Sequence, residues 1–225
     1  IAGSSPYQSP TDMGVNMVGN CIVDDEVCRE ASGQEIIRRY YQALCEVRMG
    51  RSDDSAVHKI ELLMNQAKVS PEDRPVIAAA ETRAEQTGNP AAAIELPDGV
   101  MVTGRTSSLL GASAAALNAL KQLAGLPDEL HLLPPLIIEP IQRLKTHGLG
   151  NHNPRLHTDE VLIALSISAA TNPAAELALA QLSKLKGCEV HSSVILAQVD
   201  DNVFRKLGMN LTCSPTHQTK KLYHK

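Results

Sequence analysis

The sequence predicts an α/β protein, with a helical subdomain over residues 1–90 and a three-layer α/β/α sandwich with a mixed sheet over residues 91–225. Three observations predict this class. Apolar residues recur at helical spacing before residue 90, the pattern changes to short β-like runs from about residue 94, and both patterns then alternate. Since 43% of the 225 residues are hydrophobic, the chain can bury a sizeable aliphatic core.

Composition excludes several classes of function. Lys and Arg number 21 against 25 Asp and Glu, without a basic block, so nucleic acid is not an expected partner. No apolar run is long enough to span a bilayer, so no membrane association is expected. The five cysteines form no Cys-x-x-Cys pair, which favours reduced thiols in the cytoplasm. The chain opens at Ile1 inside a Ser/Pro-rich stretch, so we expect a fragment of a longer protein.

Helix signals dominate the first 90 residues. Turn residues are frequent over 1–30, which we expect to form a loop segment. Ser32 and Glu35 form a capping box that predicts a helix over 33–48. A second helix is predicted by Val57, Ile60, Leu63, Met64 and Ala67, and a third from Ser70-Pro71, with proline in its first turn.

Strand and helix signals alternate in the remainder. Asp98-Gly99 predicts the turn of a β-hairpin formed by Ile94, Leu96, Val100 and Val102. The helices predicted after it are 112–124, one from Pro140 to Gly148, one capped by Thr158, one after Asn172-Pro173, and 201–207. The predicted strands are 130–133, 189–197 and 209–213, with Val190 to Leu196 and Leu211 in the centre of the sheet.

Several segments together resemble a bacterial family of uncharacterised proteins with a domain of unknown function. They are Ser5-Pro6-Tyr7, residues 9–17, residues 34–41, Asn153 to His157, Gly187 to Leu196 and Arg205 to Gly208. Members of that family are about twice as long, so the resemblance implies that this chain is their C-terminal half. It also implies a topology similar to the cytidine-deaminase superfamily, and a Gly-Ser-Gly-Lys loop, suggestive of phosphate binding, in the absent N-terminal half.

Some family members carry the label of ATP-dependent peptidase. This chain has neither a His-Glu-x-x-His metal motif nor a Gly-x-Ser-x-Gly nucleophile elbow, so its residues do not support that activity. The family supplies no established reaction and no cofactor.

Gly99 to Thr106 has the glycine spacing of a phosphate-binding loop, with Arg105 at the lysine position. Val100 and Val102 instead predict a strand between the two glycines, which argues against a P-loop. A simpler anion site remains open, in which Gly104, Arg105, Thr106 and Ser107 precede an Ala-rich helix. The alternative is a hydroxyl cap beside an exposed arginine.

The densest polar cluster runs from Gly150 to Glu160. His157 is a candidate acid or base oriented by Glu160, and Arg155 is a candidate phosphate or carboxylate clamp, with Asn151 and Asn153 as further ligand-binding residues. The alternative is turn and helix-capping chemistry, with Thr158 as N-cap. Both interpretations remain open for this cluster.

The remaining motifs predict no metal centre. Zinc deaminases require His-x-Glu and Pro-Cys-x-x-Cys, whereas this chain has His157-Thr158-Asp159-Glu160 and, at the next junction, no cysteine. An oxygen-rich site using Asp200 or Asp201 is not excluded. Cys188 and His191 fall on opposite faces of a strand, so they are not expected to form a Cys–His nucleophile pair. This favours a buried thiol and a hydrogen-bonded His191. His191 is retained as a candidate binding residue.

These observations lead to two functional hypotheses. The first is a metabolic enzyme half that binds a nucleotide or other phosphorylated small molecule in a cleft shared with the missing N-terminal half, to which Thr11, Asp12 and Asn16 also contribute. The second is a non-catalytic binding or oligomerisation module without deaminase zinc ligands. In that module the Ala-rich faces of 112–124 and 174–180 pack against a second copy.

Overall fold

A computed structural model of the chain describes residues 24–218. Contacts divide the chain after Pro75 into two compact units. The sequence boundary near residue 90 differs from this division by one helix, Pro75–Thr87, which packs on the sheet of the second unit.

From residue 24 onward, the first unit contains two helices and a short turn of 3₁₀-helix. Helix α1 (Asp25–Arg48) is capped by Asp24, whose carboxylate accepts the N–H groups of Glu26 and Val27. The predicted start at residue 33 was wrong, because Ser32 lies inside the helix and donates its hydroxyl to the Cys28 carbonyl. Helix α2 (Asp54–Ala67) confirms the second predicted helix and is capped by Asp53. The 3₁₀ turn Pro71–Asp73 follows.

The second unit alternates helices and strands. The helices are α3 (Pro75–Thr87), α4 (Ser113–Leu123), α5 (Pro135–Arg143), α6 (Thr158–Ala169), α7 (Pro173–Leu179) and α8 (Gln198–Lys206). A π-helical segment, Leu144–Gly148, continues α5, and a 3₁₀ turn, Leu182–Leu185, follows α7. The strands are β1 (Ala91–Glu95), β2 (Met101–Arg105), β3 (Glu189–Ser192) and β4 (Asn210–Cys213).

The four strands form one mixed sheet in the order β2-β1-β3-β4. Strand β1 is antiparallel to both β2 and β3, and β3 is parallel to β4. The hairpin predicted around Asp98-Gly99 is confirmed by the pairing of Ile94 with Val102. Because side chains alternate along a strand, the register places Ala92 and Ser192 on one face, and Ala93 and His191 on the other.

Helices cover both faces of this sheet. Helices α4, α6, α7 and α8 pack on the face of Ala92 and Ile94 and form the main core with Leu120, Leu165 and Phe204. Helix α3 covers the opposite face through Val76 and Ala80 against Ala93. The small alanine side chains of α4 and α7 are buried in this same core, so those faces are not available to a second copy; they are Ala115, Ala116, Ala119, Ala175 and Ala178.

Three predicted elements of this unit need correction. Residues 130–133 form no strand; Leu132 and Leu133 are buried in a bent segment, because an apolar run of four can pack without pairing. Helix α5 begins at Pro135, not Pro140, since two successive prolines fit the first turn of a helix. Strand β3 ends at Ser192, because Ser192 then bonds the backbone of Val194 through its hydroxyl.

Within residues 24–218, no helix has both the length and the apolar character needed to cross a membrane.

Candidate functional site

A cavity of about 50 Å³ lies at the edge of the sheet where β2 and β3 end. Its lining includes Thr106, Asn153, Arg155, His157 and Asp200, together with apolar side chains such as Leu196. Four residues predicted from two separate sequence motifs therefore meet in one place. The carboxyl ends of strands are a common position for ligand sites in α/β sheets.

The loop after β2 forms one wall of the cavity. Its first residue, Thr106, donates its N–H to the Pro90 carbonyl at 2.6 Å. Ser107 accepts the N–H groups of Leu109 and Leu110 through its hydroxyl, at 3.2 and 3.1 Å. Leu110 then forms a parallel bridge with Leu156. This bridge attaches the loop to the segment that carries Arg155 and His157.

Arg155 is 6% exposed and lines the cavity. Its Nε donates to the Ser107 carbonyl at 2.6 Å, and its backbone N–H donates to the Asn153 side chain at 3.1 Å. The Ser107 carbonyl therefore positions the guanidinium group, and Asn153 holds the Arg155 backbone. A fixed, planar guanidinium group is suited to recognise a phosphate or carboxylate.

His157 is held by Asp200, which comes from α8, 43 residues later in the chain. Nδ1 of His157 lies 2.8 Å from Oδ2 of Asp200. An ionised carboxylate can only accept a hydrogen bond, so Nδ1 carries the proton and Nε2 is the reactive ring nitrogen. The sequence had assigned this orienting contact to Glu160 and had considered Asp200 only as a metal ligand.

Asp200 also completes the N-terminus of α6. Its Oδ1 accepts both the N–H and the hydroxyl of Thr158, each at 2.7 Å. The N-cap of α6 is His157, not Thr158 as predicted from the sequence. Thr158 fails as a cap because its hydroxyl donates to Asp200 and the preceding residue already has extended backbone.

Glu160 stabilises the site through its Oε2 atom, which binds the backbone of His157 and the side chain of Lys145. This oxygen accepts the N–H of His157 at 2.7 Å and the ammonium of Lys145 at 2.6 Å. Lys145 is 4% exposed and also donates to the Arg155 carbonyl at 2.7 Å. It comes from the π-helical segment, a local irregularity often found near functional sites. The sequence did not indicate Lys145, because no local pattern predicts a π-helical turn.

The electrostatics favour a charged histidine beside a charged carboxylate. The hydrogen bond that His157 donates to Asp200 raises the pKa of His157 above its ordinary value. Burial alone would raise the pKa of Asp200, but hydrogen bonds from His157 and Thr158 outweigh it and hold that pKa below its ordinary value. His157 therefore gains proton affinity while Asp200 stays ionised, an arrangement suited to acid–base chemistry.

Among the described residues, the other predicted binding residues lie apart from the cavity lining. Gly104 is buried beneath α4, where a Cβ atom would lie 2.2 Å from the backbone nitrogen of Ala115. Arg105 and Asn151 are exposed. Thr11, Asp12 and Asn16 lie outside the described residues. Gly104 thus permits close packing of helix on strand.

His191 belongs to a different polar cluster, on the face of the sheet covered by α3. Its Nδ1 lies 2.8 Å from the hydroxyl of Thr212, and its Nε2 lies 2.9 Å from that of Ser214. The Ser214 hydroxyl in turn bonds Glu81 of α3. Cys188 is buried, as predicted, and burial raises the pKa of its thiol. This cluster ties α3 to β3 and to the residue after β4.

Over residues 24–218, no three His, Cys, Asp or Glu side chains are grouped so that they could hold a metal ion.

Two family models match the chain. Residues 72–223 match the model described as domain of unknown function DUF1846, C-terminal, and residues 1–68 match DUF1846, N-terminal. A UPF0371 protein of Corynebacterium urealyticum is 57% identical over 226 residues. The UPF0371 proteins of Corynebacterium efficiens and Streptococcus uberis are 58% and 56% identical.

Each of these three alignments covers 100% of this chain and 46% of the relative, so the chain spans about half the length of the curated relatives it matches. The resemblance noted in the sequence is thereby confirmed as a family relationship. The chain belongs to the DUF1846 family, whose relatives named above are UPF0371 proteins.

Proposed function

We propose that this chain supplies the acid–base pair and an anion-binding arginine to an enzyme that acts on a phosphorylated small molecule, such as a nucleotide. The observation that carries the proposal is the His157–Asp200 pair lining the same cavity as the buried Arg155. Cavities with a few convergent polar groups and perturbed pKa values are the usual location of active sites.

In this proposal His157 moves the proton at the reacting atom. With Nδ1 bound to Asp200, its Nε2 takes a proton from an attacking group or gives one to a leaving group. Asp200 fixes the ring orientation and stabilises the imidazolium form. Glu160 is a positioning residue, since it acts on the His157 backbone and on Lys145.

Arg155 binds the anionic group of the substrate. With His157 neutral, the charges of Arg155 and Asp200 cancel, and protonation of His157 makes the sum +1. Phosphate binding should therefore strengthen as His157 becomes protonated. The lining residues Thr106 and Asn153 offer a hydroxyl and an amide to the same anion.

The cavity is too small for a whole nucleotide, so a shared cleft is part of the proposal. About 50 Å³ accommodates a phosphate-sized group, and the rest of the substrate would lie against parts of the longer protein. The 46% coverage of relatives supports this division. A cytidine-deaminase-like topology remains a finer prediction, supported by the helix-covered mixed sheet.

Thermal-shift titration of the chain with adenosine 5′-monophosphate, inorganic phosphate and uncharged adenosine tests the proposal. We expect both phosphates to raise the melting temperature, and Arg155→Gln to reduce the shift. Arg105→Gln is the matched control, because Arg105 is exposed and outside the cavity lining. If adenosine acts as strongly as its phosphate, or Arg155→Gln responds like the parent, the proposal is wrong.

Exposed apolar residues favour a second candidate, a non-catalytic oligomerisation module. Ile163 and Ile167 lie one turn apart on α6 and are 58% and 52% exposed. Such residues commonly contact a second copy. In that case Ile163→Glu should shift sedimentation from dimer to monomer, whereas Arg155→Gln should change nothing. A monomeric parent chain would eliminate this candidate.

A further inference from the structure

A second, larger cavity of about 460 Å³ lies along the outer edge of β2. It is lined by Arg83 of α3, residues 100–103 at the edge strand, Asn118, Lys121 and Gln122 of α4, and Asp128. It shares no lining residue with the cavity of His157. Its volume falls within the range of small-molecule sites, about 300–1,000 Å³.

The cavity follows from the position of β2 in the sheet. Strand β2 is an edge strand, so β1 pairs with one side of it only. Helix α4 packs on one face of the sheet and α3 on the other, which brings side chains of both helices beside this edge. The site is therefore built mainly by regular secondary structure, with Val100 and Asp128 contributed by adjoining turns.

Two polar side chains of α4 are held in place by the protein. Asn118 donates its amide to the Thr103 carbonyl at 3.0 Å, which covers one exposed acceptor of the edge strand. Lys121 is 8% exposed, and its ammonium donates to the Asp128 backbone carbonyl. The Asp128 carbonyl carries no formal charge, so this contact places no counter-charge on the Lys121 side chain.

Arg83 provides the second cation. Its Nε atom is buried and has no hydrogen-bond partner within the described part of the chain. Buried donors are nearly always satisfied, so such a donor at a cavity indicates a missing acceptor. The lining charges of Arg83 and Lys121, less that of Asp128, sum to +1. An anion in the cavity would neutralise this charge, and reorientation of the Arg83 side chain would let the anion satisfy the donor.

We propose that this cavity binds a small organic molecule with a phosphate or carboxylate group. The oxyanion accepts hydrogen bonds from Arg83 and lies near the Lys121 charge, while the apolar body of the ligand packs against Val100 and Val102. Since the cavity is separate from the His157 site, its ligand is either a second substrate or an effector. The proposal is independent of the acid–base proposal.

Phenyl phosphate is a suitable probe, with benzyl alcohol as its uncharged counterpart. Binding to the 225-residue chain is measured by NMR titration, following the amide signals of Val102 and Thr103. We expect Arg83→Gln and Gln122→Glu to weaken the affinity at least tenfold, about 1.4 kcal/mol. Gln122 is exposed, so the inserted carboxylate repels the anion without disturbing the core.

Two controls separate this site from others. Arg143→Gln removes an exposed arginine that does not line the cavity and should change the affinity less than twofold. Arg155→Gln should leave these signals unaffected, so the failure of one proposed site is distinguishable from failure of the other. Equal binding in the Arg83 and Gln122 variants, or equal binding of benzyl alcohol, overturns the proposal. So does binding of an acidic peptide in place of phenyl phosphate, since it would indicate strand addition to β2.

Discussion

Replacing Asp200 with alanine should destabilise the fold strongly, because one carboxylate satisfies three donors. Its oxygens accept the N–H and hydroxyl of Thr158 and bond Nδ1 of His157. Thr158 is fully buried, so both its donors would be left unsatisfied at about 1–3 kcal/mol each. The variant also no longer buries a charged carboxylate, and the desolvation cost that is thereby removed offsets part of this loss. We expect a decrease of about 3–5 kcal/mol in the free energy of unfolding.

Asp200→Asn separates hydrogen bonding from charge. The asparagine oxygen still accepts from Thr158, so the loss should be about 1–2 kcal/mol at pH 6. The raised pKa of His157 gives stability that is complete below about pH 6.5 and lost as pH rises through the folded-state pKa. The lowered pKa of Asp200 gives stability present above about pH 4 and lost as pH falls through its folded value.

The parent and Asp200→Asn should therefore differ most between about pH 4 and 6.5, and less as pH rises towards 9. Urea denaturation at pH 6, 7.5 and 9 measures this difference. Asp201→Asn is the matched control, since Asp201 makes only an i,i+4 ion pair with the mostly exposed Arg205 and should cost less than about 0.5 kcal/mol. A pH-independent difference for Asp200→Asn, or an Asp200→Ala loss as small as the control, would refute the reasoning.

Two further predictions concern packing and the second polar cluster. Gly104→Ala should destabilise by about 1–3 kcal/mol, because its Cβ would meet the α4 backbone, whereas Gly111→Ala, with nothing within 4 Å, should be near neutral; equal melting temperatures would contradict this. His191, whose Nε2 lies 3.8 Å from the Glu81 carboxylate, and the hydrogen bond from Ser214 lower the pKa of Glu81, giving stability present above about pH 4.5 and lost as pH falls through the folded value. Because Glu81 is 41% exposed, Glu81→Gln should lower the free energy of unfolding by only about 1 kcal/mol at pH 7. Urea denaturation should show that the difference between parent and variant disappears below about pH 4.

Elements with local signals were predicted well. The β1–β2 hairpin follows from Asp98-Gly99 between two apolar runs, and α7 follows from Asn172-Pro173, because turn and capping chemistry acts within a few residues. The start of α1 and the absence of a strand at 130–133 were missed. At 130–133 packing, not local preference, decides the backbone, whereas α1 begins at a local capping residue, Asp24, that the prediction from Ser32 passed over.

The residues of the candidate site also divide into those that a local sequence pattern indicates and those that it does not. Arg155 and His157 are marked by their own polar cluster, and Thr106 by its position after a predicted strand. Lys145 and Asp200 carry no local mark, since a buried lysine and a helix-start aspartate look like solvated residues in the sequence. His191, in contrast, was a candidate for the site until strand alternation placed it on the opposite face from the cavity-lining Ser192.

Periodicity and capping are local properties, so the α/β class, the hairpin, most of the helices and the polar segment before α6 could be predicted from the residues alone. Three pairings came from folding in three dimensions: Asp200 holds His157, Glu160 contacts Lys145, and Arg83 and Lys121 line one cavity. The two residues of each pair are 15 to 43 positions apart in the sequence. Their contact depends on the path of the backbone between them, which a pattern spanning a few residues does not predict.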